Sequence, residues 1–139
     1  MQTQNIITVI IHSTTPDDDI QFILKQAECD VAIVTEDTVR QFIAAKSEKL
    51  KFLIATGRNQ DKIKAEYGEQ FKIYTMKEIE EIGAKLEYKP DIPEDKEVLY
   101  SIVYTSGSTG TPKGIVNSYD SQREDINGVG LSHASLTFE

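Results

Sequence analysis

Two hydrophobic periods alternate along the chain. Residues 6–11, Ile-Ile-Thr-Val-Ile-Ile, form an apolar, mostly β-branched run, the pattern of a strand buried on both faces. Thr15-Pro16-Asp17-Asp18 then opens a helix, with Thr15 expected as N-cap, Pro16 at the first helical position and acids complementing the dipole. Ile20, Ile23, Leu24 and Ala27 follow at helical spacing and define its buried face. The same alternation predicts strands over 31–34, 52–55 and 71–74, with helices within 36–47 (Val39, Phe42, Ile43) and over 61–67. Met76, Ile79 and Ile82 stripe a further helix that ends near Gly83 or Leu86.

Strands alternating with helices of this length imply βαβ units and a mostly parallel sheet with flanking helices, an α/β fold. Right-handed crossovers then place the helices over the sheet faces. Residues 88–97, with Pro90, Pro93 and many charges, break the pattern and read as an exposed connector. An unbroken strand over 98–104 follows and runs into a Gly/Ser/Thr-rich loop. The expected organisation is therefore a βαβ part over 1–87, the connector over 88–97, and a strand, loop and following region over 98–139.

Length and charge narrow the partners. A chain of 139 residues can build a single core, and 39% hydrophobic with 27% charged residues is a globular composition. The net charge of -8 and the lack of a Lys/Arg cluster argue against nucleic acid. Cys29 is the sole cysteine, which excludes an internal disulfide; a buried or partly buried thiol is expected there. The apolar run 6–11 is too short to span a bilayer and has no basic residue before it, so neither a transmembrane helix nor a signal peptide is predicted.

The chemistry concentrates in Thr105-Ser106-Gly107-Ser108-Thr109-Gly110-Thr111-Pro112-Lys113-Gly114. Glycines let main-chain N–H groups approach a ligand closely, Ser and Thr hydroxyls add neutral donors, and Lys113 supplies a mobile positive charge. Such a loop suits a polyphosphate. A strand directly before it would hold it at a sheet's carboxyl edge, where α/β folds bind ligands. It is not the common P-loop, because Pro112 precedes the lysine and Gly114 follows it.

Tyr104–Gly114 closely resembles the phosphate-binding signature of the adenylate-forming enzymes, which include acyl-CoA synthetases, peptide-synthetase adenylation domains and luciferases. Upstream, the strand ending at His12, the Thr-Pro turn and the helix and strand after it also resemble that family, and His12 is most like the long-chain acyl-CoA synthetases. Taken by itself, His12 reads as a turn residue at a strand end. The resemblance implies an incomplete piece of the large N-terminal domain of an adenylate-forming enzyme. It implies activation of a carboxylic acid, here a fatty acid, by ATP as acyl-adenylate, followed by transfer to coenzyme A. Thr105, Ser106, Gly107, Ser108, Thr109 and Gly110 would cradle the β- and γ-phosphates, Thr111 and Lys113 would complete the site, and Mg²⁺ would share the charge.

The resemblance also marks what these residues lack. The family's ribose-binding acid, its Mg²⁺-holding acid and its C-terminal lysine domain lie beyond the matched part, so catalysis by this chain alone is not expected. In the family, the lysine and glycine lead within a few residues to a helix-opening segment resembling Leu131-Ser132-His133-Ala134-Ser135-Leu136. Here residues 115–128 intervene, mostly polar and acidic enough to oppose ATP. A lineage-specific surface loop and a retained intron or gene-model error are both open origins. Two other readings stand beside the enzyme piece: a non-catalytic interaction or regulatory module of the same fold, and an unrelated nucleotide-binding module. A cytoplasmic location, or one peripheral to a membrane with no anchor encoded here, follows from the resemblance.

Overall fold

The computed structural model describes residues 4–95, 97–105, 110–121 and 136–138. In chain order the elements are β1 (Thr8–Ile10), α1 (Asp17–Gln26), β2 (Val31–Val34), α2 (Val39–Ala44), β3 (Phe52–Ala55), α3 (Gln60–Tyr67) and β4 (Ile73–Thr75). α4 (Met76–Gly83), β5 (Leu99–Thr105), β6 (Lys113–Ser118) and β7 (Leu136–Phe138) follow. They form two compact units, His12–Tyr88 and the pair of segments Met1–Ile11 and Lys89–Glu139. The α/β class expected from the sequence is what forms.

The unit His12–Tyr88 holds a three-stranded parallel sheet in the order β2-β3-β4. When strand order follows chain order, right-handed crossovers put α2 and α3 on the same face. The core lies on that face: Ala32, Val34, Leu53, Ala55 and Ile73 are buried with Ile20, Ile23, Leu24, Val39 and Ile63 of the helices. The opposite face carries Val31, Ile33, Phe52, Ile54 and Tyr74 in register, and Val31 and Ile33 are 38% and 44% exposed. Helices over the sheet faces were expected; on the face opposite α2 and α3, Val31 and Ile33 stay exposed while Phe52, Ile54 and Tyr74 are half-buried. Phe52 and Tyr74 meet edge to face there at 5.3 Å, and the Lys72 ammonium sits 5.2 Å from the Tyr74 ring centre.

Local chemistry sets the helix ends. Pro16 takes the N-cap position of α1 and no side chain caps it, so the cap expected from Thr15 does not form. Asp17, Asp18 and Asp19 of the first turn supply the favourable charge instead. At the other end Glu28 has φ 48°, and the Cys29 N–H donates to Leu24 O at 3.3 Å, the long bond of a Schellman ending. Only six residues of the stretch 36–47 become α2, because Thr35 and Thr38 close a turn ahead of it. α4 has a complete capping box: the Glu78 N–H donates to the Thr75 hydroxyl, and the Glu78 carboxylate accepts from the Thr75 N–H.

The second unit holds a mixed sheet in the order β1-β5-β6-β7. β1 pairs parallel with β5, while β5–β6 and β6–β7 are antiparallel. Two expectations are corrected here. Residues 115–118, read from sequence as the start of an inserted loop, belong to strand β6 and pair with β5. Leu136–Phe138, in the region where a helix was expected after Ser132, is a strand paired with β6. Ser132 and His133 themselves lie outside the described residues.

Candidate functional site

β5 and β6 pair antiparallel, and the Gly/Ser/Thr-rich segment lies between them in the chain. Cross-strand pairing runs Ile102↔Val116, Val103↔Ile115, Tyr104↔Gly114 and Thr105↔Lys113. Thr105 and Lys113 are therefore partners at the mouth of the connection, and both are exposed. No carboxylate among the described residues pairs with Lys113. A hydroxyl and an ammonium side by side on one strand face supply a donor and a charge that suit an anion.

Beyond the mouth, Gly110 has φ 84°, a conformation that strains any residue with a β-carbon. Thr111 is exposed, and Pro112 is buried directly before the lysine. Ser106, Gly107, Ser108 and Thr109, the other expected cradle residues, lie outside the described residues. Deeper in the hairpin, the Asn117 amide donates to the Ser101 hydroxyl at 3.4 Å across the strands. Past β6, Ser118 and Ser121 tie a turn together, and Tyr119 packs edge to face on Tyr100 at 5.0 Å. Among the described residues no group of three or more His, Cys, Asp or Glu side chains could hold a metal ion.

Other candidates are better explained structurally. His12 is an exposed turn residue whose ring nitrogen Nδ1 lies 2.8 Å from the Thr14 hydroxyl. Burial, and then the neighbouring Asp30 charge, push the Cys29 thiol above its ordinary pKa, which makes it a poorer nucleophile at neutral pH. A cleft of about 270 Å³ between α2 and α3 is lined by Glu36, Asp37, Arg40, Lys62, Ile63, Glu66 and Tyr67. Most of its charges are paired: Lys62 donates to Glu36 at 2.6 Å, and Arg40 donates to the Tyr67 hydroxyl at 2.8 Å and pairs with Glu66. Sequence periodicity missed this cluster because its members lie far apart in the chain. No helix among the described residues is long and apolar enough to cross a membrane.

Comparison with known proteins places this geometry in context. The profile of a family described as AMP-binding enzyme matches residues 1–134. Fatty acyl-CoA synthetase A of Dictyostelium discoideum is 22% identical over 136 residues, covering 95% of this chain and 20% of that protein. Long chain acyl-CoA synthetase 3 of Arabidopsis thaliana is 31% identical over 116 residues, covering 79% of this chain and 17% of its own length. The chain thus spans about a fifth of the curated relatives it matches. Among solved structures, the adenylation domain of a carboxylate reductase from Mycobacterium chelonae superposes with a TM-score of 0.74 at 17% identity, over 94% of this chain and 22% of that one. At that identity the superposition speaks to the fold alone.

Proposed function

The chain belongs to the AMP-binding enzyme family, and from that premise we propose that it is the phosphate-gripping part of an ATP-dependent acyl-CoA synthetase. The observation that carries the reading is the β5–β6 register, which sets Thr105 against Lys113 at the mouth of a glycine-containing connection. Lys113 clamps the β- and γ-phosphates by charge, Thr105 and Thr111 donate hydroxyls, and Gly110 lets the backbone turn towards them. Ser106, Gly107, Ser108 and Thr109 complete the cradle. Gripping the terminal phosphates holds the α-phosphate still for the carboxylate and steadies the pyrophosphate as it leaves.

Long-chain fatty acids are the proposed acids and coenzyme A the acceptor, because the curated relatives are fatty acyl-CoA synthetases. Mg²⁺ would offset phosphate charge. The described residues offer it no ligand cluster, so no step here is assigned to it. The proposed setting is the cytoplasm or a membrane surface. A second reading, a non-catalytic interaction module of the same fold, is favoured by the bare apolar sheet face at Val31 and Ile33.

Sequencing the transcript past the codon for Glu139, then assaying its complete product with ATP, a long-chain fatty acid and coenzyme A, separates the two. The expected result is an open frame carrying a ribose-binding acid and a C-terminal lysine domain, with acyl-CoA formation that Lys113→Ala lowers by roughly 10²-fold. A stop directly after Glu139, with no thioester formed, would remove the ligase reading in favour of the module.

A further inference from the structure

Tyr104 and Gly114 face each other across β5 and β6, one position inside the Thr105–Lys113 pair. Gly114 is buried, and a β-carbon there would lie 3.1 Å from Ile102 Cγ2 and 3.2 Å from Tyr104 Cζ. The tyrosine ring thus fills the space that a side chain at 114 would need. By strand alternation Ile102, Tyr104, Gly114 and Val116 share one face of the hairpin, while Val103, Thr105, Lys113 and Ile115 share the other.

The neighbours of Gly114 take its place only at a steric cost. A one-residue slip of β6 would bring Lys113 or Ile115 beneath the ring, where a β-carbon fits only if Ile102 and Tyr104 give way by a few tenths of an ångström. The same slip would carry Lys113 to the opposite face from Thr105. Buried Pro112 adds a further constraint, since its fixed φ and missing N–H limit how the chain enters β6.

We infer that the Tyr104 ring seated on Gly114 locks the hairpin register, and that these two act as positioning residues for the polyphosphate site. The inference rests on the phosphate-loop reading and adds what holds that loop in place. Neither residue is assigned a contact with phosphate; they act through Thr105 and Lys113.

The test uses the whole 139-residue chain with Cys29→Ser, Val103→Cys and Ile115→Cys. Positions 103 and 115 are cross-strand partners, a separation compatible with a disulfide. Disulfide yield then reports the register without any ligand. Tripolyphosphate affinity, read from broadening of its ³¹P resonances, reports the site in the parent chain. Gly114→Val is expected to cut the disulfide yield and to weaken tripolyphosphate binding about tenfold or more, as misplacement of a binding group does. Tyr104→Ala combined with Gly114→Val removes the ring's share of the collision, with Ile102 Cγ2 still in place, and should recover part of both, a rescue that a merely disruptive substitution would not show.

Unchanged disulfide yield in Gly114→Val overturns the lock. Loss without rescue in the double variant overturns Tyr104 as the partner. A parent chain that forms the disulfide but binds no tripolyphosphate overturns the phosphate-loop reading, and the positioning role with it. Binding in the parent that is equally strong in Gly114→Val overturns the positioning role alone.

Discussion

Glu28 occupies a position that a glycine would hold more cheaply. Its φ of 48° is the left-handed conformation of a Schellman ending, and its carboxylate pairs with Lys49 at 3.2 Å with both side chains well exposed. An exposed pair of this kind contributes little, whereas the left-handed backbone costs a non-glycine residue about 1 kcal/mol. Glu28→Gly is therefore expected to raise stability by about 0.5–1 kcal/mol in chemical denaturation. Little of this could be read from the sequence, because Gln26-Ala27-Glu28-Cys29 carries no glycine to announce the helix end. The site residues differ in the same way. The glycines and the lysine of the loop announce a phosphate site by their chemistry, yet the Thr105–Lys113 partnership exists only once β6 pairs with β5.

At the scale of elements, the capping box of α4 carries a pH dependence. The Glu78 pKa is lowered chiefly by its hydrogen bond to Lys64 and then by that to the Thr75 backbone. A carboxylate whose pKa falls on folding stabilises the fold fully above its unfolded value of about 4.3, and that contribution disappears as pH drops through the lower folded value. Thermal melts of Glu78→Gln should show a weaker acid-side decline below about pH 5 than the parent. Thr75→Ala should cost about 1 kcal/mol at neutral pH, the usual loss for an N-cap hydroxyl. Equal acid sensitivity in Glu78→Gln and the parent would place the decline elsewhere.

The elements with strong apolar periods were legible in the sequence: α1, β2 and β3 form close to where the pattern puts them. β6 was not. Lys-Gly-Ile-Val-Asn-Ser has two large apolar residues and a glycine, so its strand character comes from pairing with β5 rather than from its own pattern. α2 is shorter than its apolar stripe suggests because hydrogen bonds between Thr35 and Thr38 hold the preceding residues in a turn.

For the molecule as a whole, the exposed sheet face is the surface that bears on association. Parallel sheets ordinarily have both faces covered, and Val31, Ile33, Phe52, Ile54 and Tyr74 lie on a face that the described helices of their unit leave open. The 139-residue chain is accordingly expected to bind a hydrophobic dye and to self-associate as its concentration rises. Ile33→Lys should reduce both in light scattering and dye fluorescence without loss of secondary structure, since Ile33 is already 44% exposed. A monomer that binds no dye at high concentration would mean that this face is closed. The sequence pattern reveals alternating strands and helices. It does not reveal which face the helices cover, because that follows from the β2-β3-β4 order.

The central claim is that the β5–β6 hairpin grips the phosphates of ATP, while the adenine and ribose contacts lie outside the matched part of the family. Competition by ³¹P resonance broadening, at protein concentrations low enough to avoid self-association, tests it directly. ATP and tripolyphosphate should displace one another with similar affinity, AMP should displace neither, and Lys113→Ala should weaken both by about tenfold or more. Binding of AMP as tight as that of tripolyphosphate, or binding indifferent to Lys113→Ala, would contradict the account.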